Sequence, residues 1–145
     1  MYSFGGALPL PKNTALSLTN DAGVRVVTYY FRSEFMFEGD PKAVQLRLRP
    51  VIDDGAVFYL NGVEVYRYNL PTGPITSTNL ATLSINTVTN GGPWTVPSFS
   101  LVPGRNVLAV EVHQSNTNAV GADVVFGLEL LSAVVRTPAV FVPRL

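Results

Sequence analysis

Hydrophobic and polar residues alternate along most of this chain with a period of two. Between 43 and 49, Leu46 and Leu48 fall on one side and Gln45, Arg47 and Arg49 on the other. Between 107 and 113, Leu108, Val110 and Val112 share a face, and Val107, Ala109, Glu111 and His113 share the opposite one. From Asp123 onward, Val124, Phe126, Leu128 and Leu130 alternate with Asp123, Val125, Gly127 and Glu129. Residues 24–37 set Tyr29, Phe31, Phe35 and Phe37 against Arg32 and Glu34. A two-residue period is what a strand with one buried face requires. Weaker strands are expected at 80–85 and 95–101. No helical period appears, and Pro and Gly interrupt the chain too often for long helices. Short strands bounded by turn signals, such as Pro103-Gly104-Arg105-Asn106, predict an all-β sandwich or barrel.

The strongest local signal lies at 53–65. Apolar, β-branched and aromatic runs flank Asn61-Gly62. Asn-Gly tolerates the two positive φ angles of a type I′ turn, whose twist matches that of the strands it joins. This stretch therefore predicts a tight hairpin with a fixed register.

The ends differ from the middle. Residues 1–20 hold Pro9 and Pro11 without a clear period, and 133–145 hold Pro138 and Pro143 around Ala139-Val140-Phe141-Val142. The expected organisation is an extended N-terminal arm (1–20), a sandwich domain (21–132) and an extended C-terminal arm (133–145). Leu8, Leu10, Val140, Phe141 and Val142 are the candidate contacts of those arms with neighbouring subunits, which implies a homo-oligomer. The first residues lack a basic, then apolar, leader pattern, so no export signal is expected in them.

Composition narrows the partners. The 145 residues suit one domain with a real core. Formal net charge is zero, charged residues make up 14 %, and Lys occurs only at Lys12 and Lys42. No basic stripe is present to meet phosphates, so nucleic acid is not an expected partner. No stretch approaches the ~20 apolar residues of a membrane helix, and no membrane partner is expected. Cysteine is absent, which removes disulfides, thiol nucleophiles and thiolate metal sites.

Candidate chemistry is sparse. His113, the only histidine, shares a strand face with Glu111 but has neither a third ligand nor a nucleophile at a telling spacing. Asp53 and Asp54 precede a glycine, which favours turn and strand-end chemistry over an acid–base pair. A structural calcium ion held by such oxygens, with Asn116, Asn118 and Asp123 as further donors, is the one cofactor left open, and no dedicated metal site is expected. Trp94 follows Gly91-Gly92-Pro93 on an expected loop. With Tyr66 and Tyr68 it forms the candidate ligand-binding set, stacking on a sugar ring; capping the core or anchoring a subunit are the other roles open to it. No catalytic residue is assigned, and the chain is not expected to be an enzyme.

Three segments carry a family pattern: Thr28-Tyr29-Tyr30-Phe31-Arg32; the hairpin stretch 53–65 with Asn69-Leu70-Pro71 and Gly73; and residues 104–114 followed by Phe126-Gly127-Leu128-Glu129-Leu130. Over 24–132 the chain resembles the galactose-binding-like jelly-roll module. That resemblance implies a jelly-roll β-sandwich of the carbohydrate-binding kind, often appended to extracellular bacterial hydrolases. The arms, and the lack of a catalytic partner in the sequence, are similar in layout to virion accessory proteins. The resulting expectation is a non-catalytic capsid decoration or cement protein on the virion surface, bound to capsid or tail proteins. The alternative is an extracellular module that recognises glycans through sandwich-end loops.

Overall fold

The computed structural model describes residues 2–4, 14–85, 89–116 and 123–135. The candidate arm contacts Leu8, Leu10, Val140, Phe141 and Val142, and Asn118, lie outside those residues. Among the described residues there are ten strands: β1 (Tyr2–Phe4), β2 (Thr14–Ala15), β3 (Thr28–Phe37), β4 (Val44–Asp53), β5 (Gly55–Leu60), β6 (Val63–Tyr68), β7 (Thr89–Asn90), β8 (Trp94–Val96), β9 (Gly104–His113) and β10 (Val124–Val134). Among the described residues there is no α-helix, only a 3₁₀ turn at Pro41–Ala43 capped by Asp40.

The strands form two sheets, antiparallel except where β1 lies parallel to β2. One sheet runs β2-β1-β10-β4-β7, with β8 also paired to β4. The other runs β3-β9-β5-β6. The fold is an all-β sandwich, as the two-residue period predicts. The expected faces meet between the sheets: Leu46, Leu48 and Ile52 from β4 and Val124 and Phe126 from β10 pack on Phe58, Val110 and Val112. Phe31 of β3 stacks on Phe126 of β10 with ring centroids 4.4 Å apart, so one aromatic pair ties the two sheets.

The Asn61-Gly62 hairpin joins β5 to β6 with φ of 52° and 82° at its two turn residues. Asn61 does more than turn. Its amide donates to the Ser100 carbonyl at 2.7 Å and to Asn106 Oδ1 at 2.8 Å, and its Oδ1 accepts from the Val107 N–H at 2.8 Å. The hairpin is thereby fastened to the 98–107 loop of the next strand. A bulge at Phe58/Tyr59 shifts the β5–β6 register, so Tyr59 faces Glu64.

Two local expectations change. Residues 80–85 form no strand; they end a long cover segment held by single hydrogen bonds, such as Ala81 N–H to Gln114 O at 2.9 Å. The strand expected at 95–101 is confined to Trp94–Val96, after which Ser98–Leu101 closes a turn. At the N-terminus, Tyr2–Phe4 pairs with Val124–Phe126 and extends the larger sheet, inside the stretch expected to be an arm. At the C-terminus, β10 continues to Val134, paired with Val44, two residues beyond the expected domain limit of 132.

Candidate functional site

The structure brings Trp94, Tyr66 and Tyr68 together. Tyr66 and Tyr68 are two residues apart on β6, at the edge of the four-stranded sheet, and Trp94 lies on β8, opposite Leu48 of the other sheet. Trp94 stacks on Tyr66 (centroids 4.6 Å, planes 22° apart) and on Tyr68 (5.1 Å, 26°), with Phe58 edge-on at 6.3 Å. A Cβ at Gly91 would sit 2.5 Å from the Trp94 ring, so glycine is required there. Trp94 thus commits ring surface to partners in the other sheet. The trio closes one edge of the sandwich.

A second arrangement lies on the outer face of the four-stranded sheet. Register alone places it: Tyr30 pairs with Glu111 and Glu111 with Val57, while Arg32 pairs with Ala109 and Ala109 with Tyr59. Their side chains leave the sheet on the side away from the core. Together Tyr30, Arg32, Tyr59, Ala109 and Glu111 line a depression of about 400 Å³. Glu111 forms its floor and is only 8 % exposed, whereas Tyr30 is 66 % exposed. The Tyr59 hydroxyl donates to Glu111 Oε1. Burial, and then the Glu111 carboxylate, push the Tyr59 hydroxyl well above its ordinary pKa, so it stays a donor.

Glu111 is buried on an outer face because the segment 69–85 lies across the upper end of this sheet. Arg67 donates to the carbonyls of Pro71 and Gly73, and Thr28 Oγ1 to that of Ser77 at 2.8 Å. His113, fully buried, has Nδ1 2.8 Å from the Asn79 carbonyl. A carbonyl can only accept, so Nδ1 carries the hydrogen. Nε2 then faces Glu111 Oε2 at 3.5 Å. The shared strand face of Glu111 and His113, legible in the sequence, becomes a buried pair beneath the depression.

Asp53 and Asp54 sit where the chain bends from β4 into β5, crossing from one sheet to the other. Both are buried, at 3 % and 4 % exposure. Asp54 Oδ1 accepts from Ile85 N–H at 2.6 Å and Oδ2 from Ser115 N–H at 2.7 Å. Its carbonyl accepts from the Asn69 side chain at 3.1 Å. Burial pushes the Asp53 carboxyl up to about 8, reinforced by its hydrogen bond with Asp54 and by the Asp54 and Asp123 charges. Among the described residues, no three His, Cys, Asp or Glu side chains converge as a metal-ligand set.

Sequence reasoning had not singled out Tyr30, Arg32 or Tyr59. The available signal was Tyr30 itself, an aromatic residue on the strand face otherwise held by Arg32 and Glu34.

No family model matches the chain, and no curated protein matches it. Among solved structures, a beta-D-mannosidase from Dictyoglomus thermophilum is similar, at 20 % identity and a TM-score of 0.38, over 61 % of this chain and 9 % of that one. The chain therefore spans less than a tenth of that enzyme's length.

Proposed function

We propose that this chain is a non-catalytic recognition module that holds a saccharide on the outer face of its four-stranded sheet. The depression floored by Glu111 carries this reading. Tyr30 and Tyr59 offer aromatic surface to the C–H face of a pyranose ring. The Glu111 carboxylate accepts hydroxyl hydrogen bonds, which are stronger for being charge-assisted, and Arg32 donates from the rim. Glu111 is the single carboxylate in the lining, whereas glycoside hydrolysis needs a pair flanking the bond. The resemblance to galactose-binding-like modules supports the same ligand class and an extracellular setting. The test is an NMR titration with a panel of soluble neutral oligosaccharides. Shifts should concentrate at Tyr30, Tyr59 and Ala109 and vanish in Tyr30→Ala. Shifts centred on Trp94 instead, or no binding across the panel, would refute this placement.

A second reading is association with neighbouring subunits, as in a capsid decoration or cement protein. One observation favours it. Met36, Val63, Phe99, Val102, Val134 and Val135 are all exposed at the same end of the sandwich, with Phe99 at 72 % and Val134 at 71 %. Hydrogen bonds place them together: Ser98 Oγ to Val44 O, Val135 N–H to Ala43 O, and Asn61 to Ser100 O. Clustered apolar surface marks a contact site. In this reading sedimentation shows concentration-dependent oligomers that Phe99→Ser with Val134→Ser dissolves; a monomer at all concentrations, alone and with shell proteins, removes it.

A further inference from the structure

Buried adjacent carboxylates call for an explanation that a surface turn does not supply. The Asp54 side chain grips two separate stretches at once, through Ile85 and Ser115, and both bonds run to backbone N–H groups. Those stretches, 69–85 and 114–116, carry no charged side chain of their own. The charges that face Asp53 are Asp54 beside it and Asp123 at the start of the approach to β10. From β9 come Glu111 and His113, which are engaged with Tyr59 and Asn79. Both Asp54 oxygens already accept N–H bonds, so Asp53 is the member that keeps the proton.

We infer that this proton is a latch: held by Asp53 against Asp54, it keeps residues 69–85 and 114–116 seated on the sandwich end, and its loss lets both stretches lift. Without it, two neighbouring anions and Asp123 crowd one low-dielectric pocket, and repulsion is relieved by letting water reach Asp54. The Asp54 bonds to Ile85 and Ser115 are those that break. The shift of Asp53 to about 8 agrees with this geometry and marks the upper end of the pH range over which the latch releases. The inference does not depend on the saccharide reading, since it concerns the loops alone.

The test is hydrogen exchange of the full chain from pH 6 to 9.5, expressed as protection relative to intrinsic rates. Protection at Ile85 and Ser115 should fall about tenfold per pH unit from pH 6 to about 7.5 and level off above 8, while amides of β4 and β9 hold constant. In Asp53→Asn, whose amide still donates to Asp54 but cannot ionise, protection at both sites should stay flat. Constant protection in the wild type through pH 9.5, or the same fall in Asp53→Asn, would overturn the latch. If Asp53→Asn does not fold, carbon-13 titration of the wild type decides. An Asp53 carboxyl resonance that titrates below pH 5 overturns the inference, and one that titrates near 8 supports it.

Discussion

Replacing Trp94 by alanine separates edge closure from ligand stacking. The ring is half-buried, stacked on Tyr66 and Tyr68 and edge-on to Phe58. A Trp side chain of roughly 200 Å², half removed from water, contributes about 2.5 kcal/mol at ~25 cal/mol per Å². Two stacked pairs add about 0.5–1 kcal/mol each beyond area. The expected loss is therefore about 4 kcal/mol, or a fall in Tm of roughly 10 °C for a domain of this size. Because Trp94 is the only tryptophan, unfolding in urea is followed by far-UV circular dichroism. Trp94→Phe, which keeps a ring between the sheets, should lose about half as much. A loss below about 1 kcal/mol in Trp94→Ala would show that the trio does not close the sandwich, and would return Trp94 to the candidate ligand set.

Tyr30→Ala should leave stability within about 0.5 kcal/mol, because the side chain is mostly in water, yet abolish saccharide shifts in the titration. Asn61→Ala should cost about 2–3 kcal/mol in urea unfolding, through three lost side-chain hydrogen bonds and a residue held at φ 52°. Asn61→Gly should cost less, since glycine accepts that φ. Gly55→Ala should cost about 2 kcal/mol, since its Cβ would lie 2.8 Å from the Asn69 carbonyl oxygen. For Asp53, the folded-state carboxyl is raised from 3.8 to about 8, so its contribution is complete below pH ~4 and lost as pH rises through 8. The stability of wild type relative to Asp53→Asn should fall by about 1.4 kcal/mol per pH unit between about pH 5 and 7.5 and level off above 8; a flat difference would contradict it.

The inward faces of β3, β4, β9 and β10 were legible because each alternates over five or more residues, and burial follows that parity most cleanly in β4. The Asn61-Gly62 turn was legible because its backbone demand is local. The pairing of Tyr2–Phe4 with β10 was not, since it joins residues more than a hundred apart and the segment has no period of its own. Residues 80–85 misled because Ala81-Thr82-Leu83-Ser84-Ile85 alternates as a strand would. There the apolar residues serve a segment laid over a sheet rather than one within it.

The depression is illegible in sequence for a related reason. Period two marks Tyr30, Glu111 and Tyr59 only as outward-facing, and outward-facing ordinarily means solvated. What changes their meaning is the cover segment 69–85, which buries Glu111 and His113 while leaving Tyr30 in water. That segment is anchored at its middle by Ser77 to Thr28 and by Asn79 to His113, and at its end by Ile85 to Asp54. One stretch of chain thus seats His113, the neighbour of Glu111, and closes the Asp53–Asp54 pocket. A change that loosens the carboxylate end acts on the same element that seats His113 beside Glu111, through bonded contacts and without any direct contact between Asp54 and the depression.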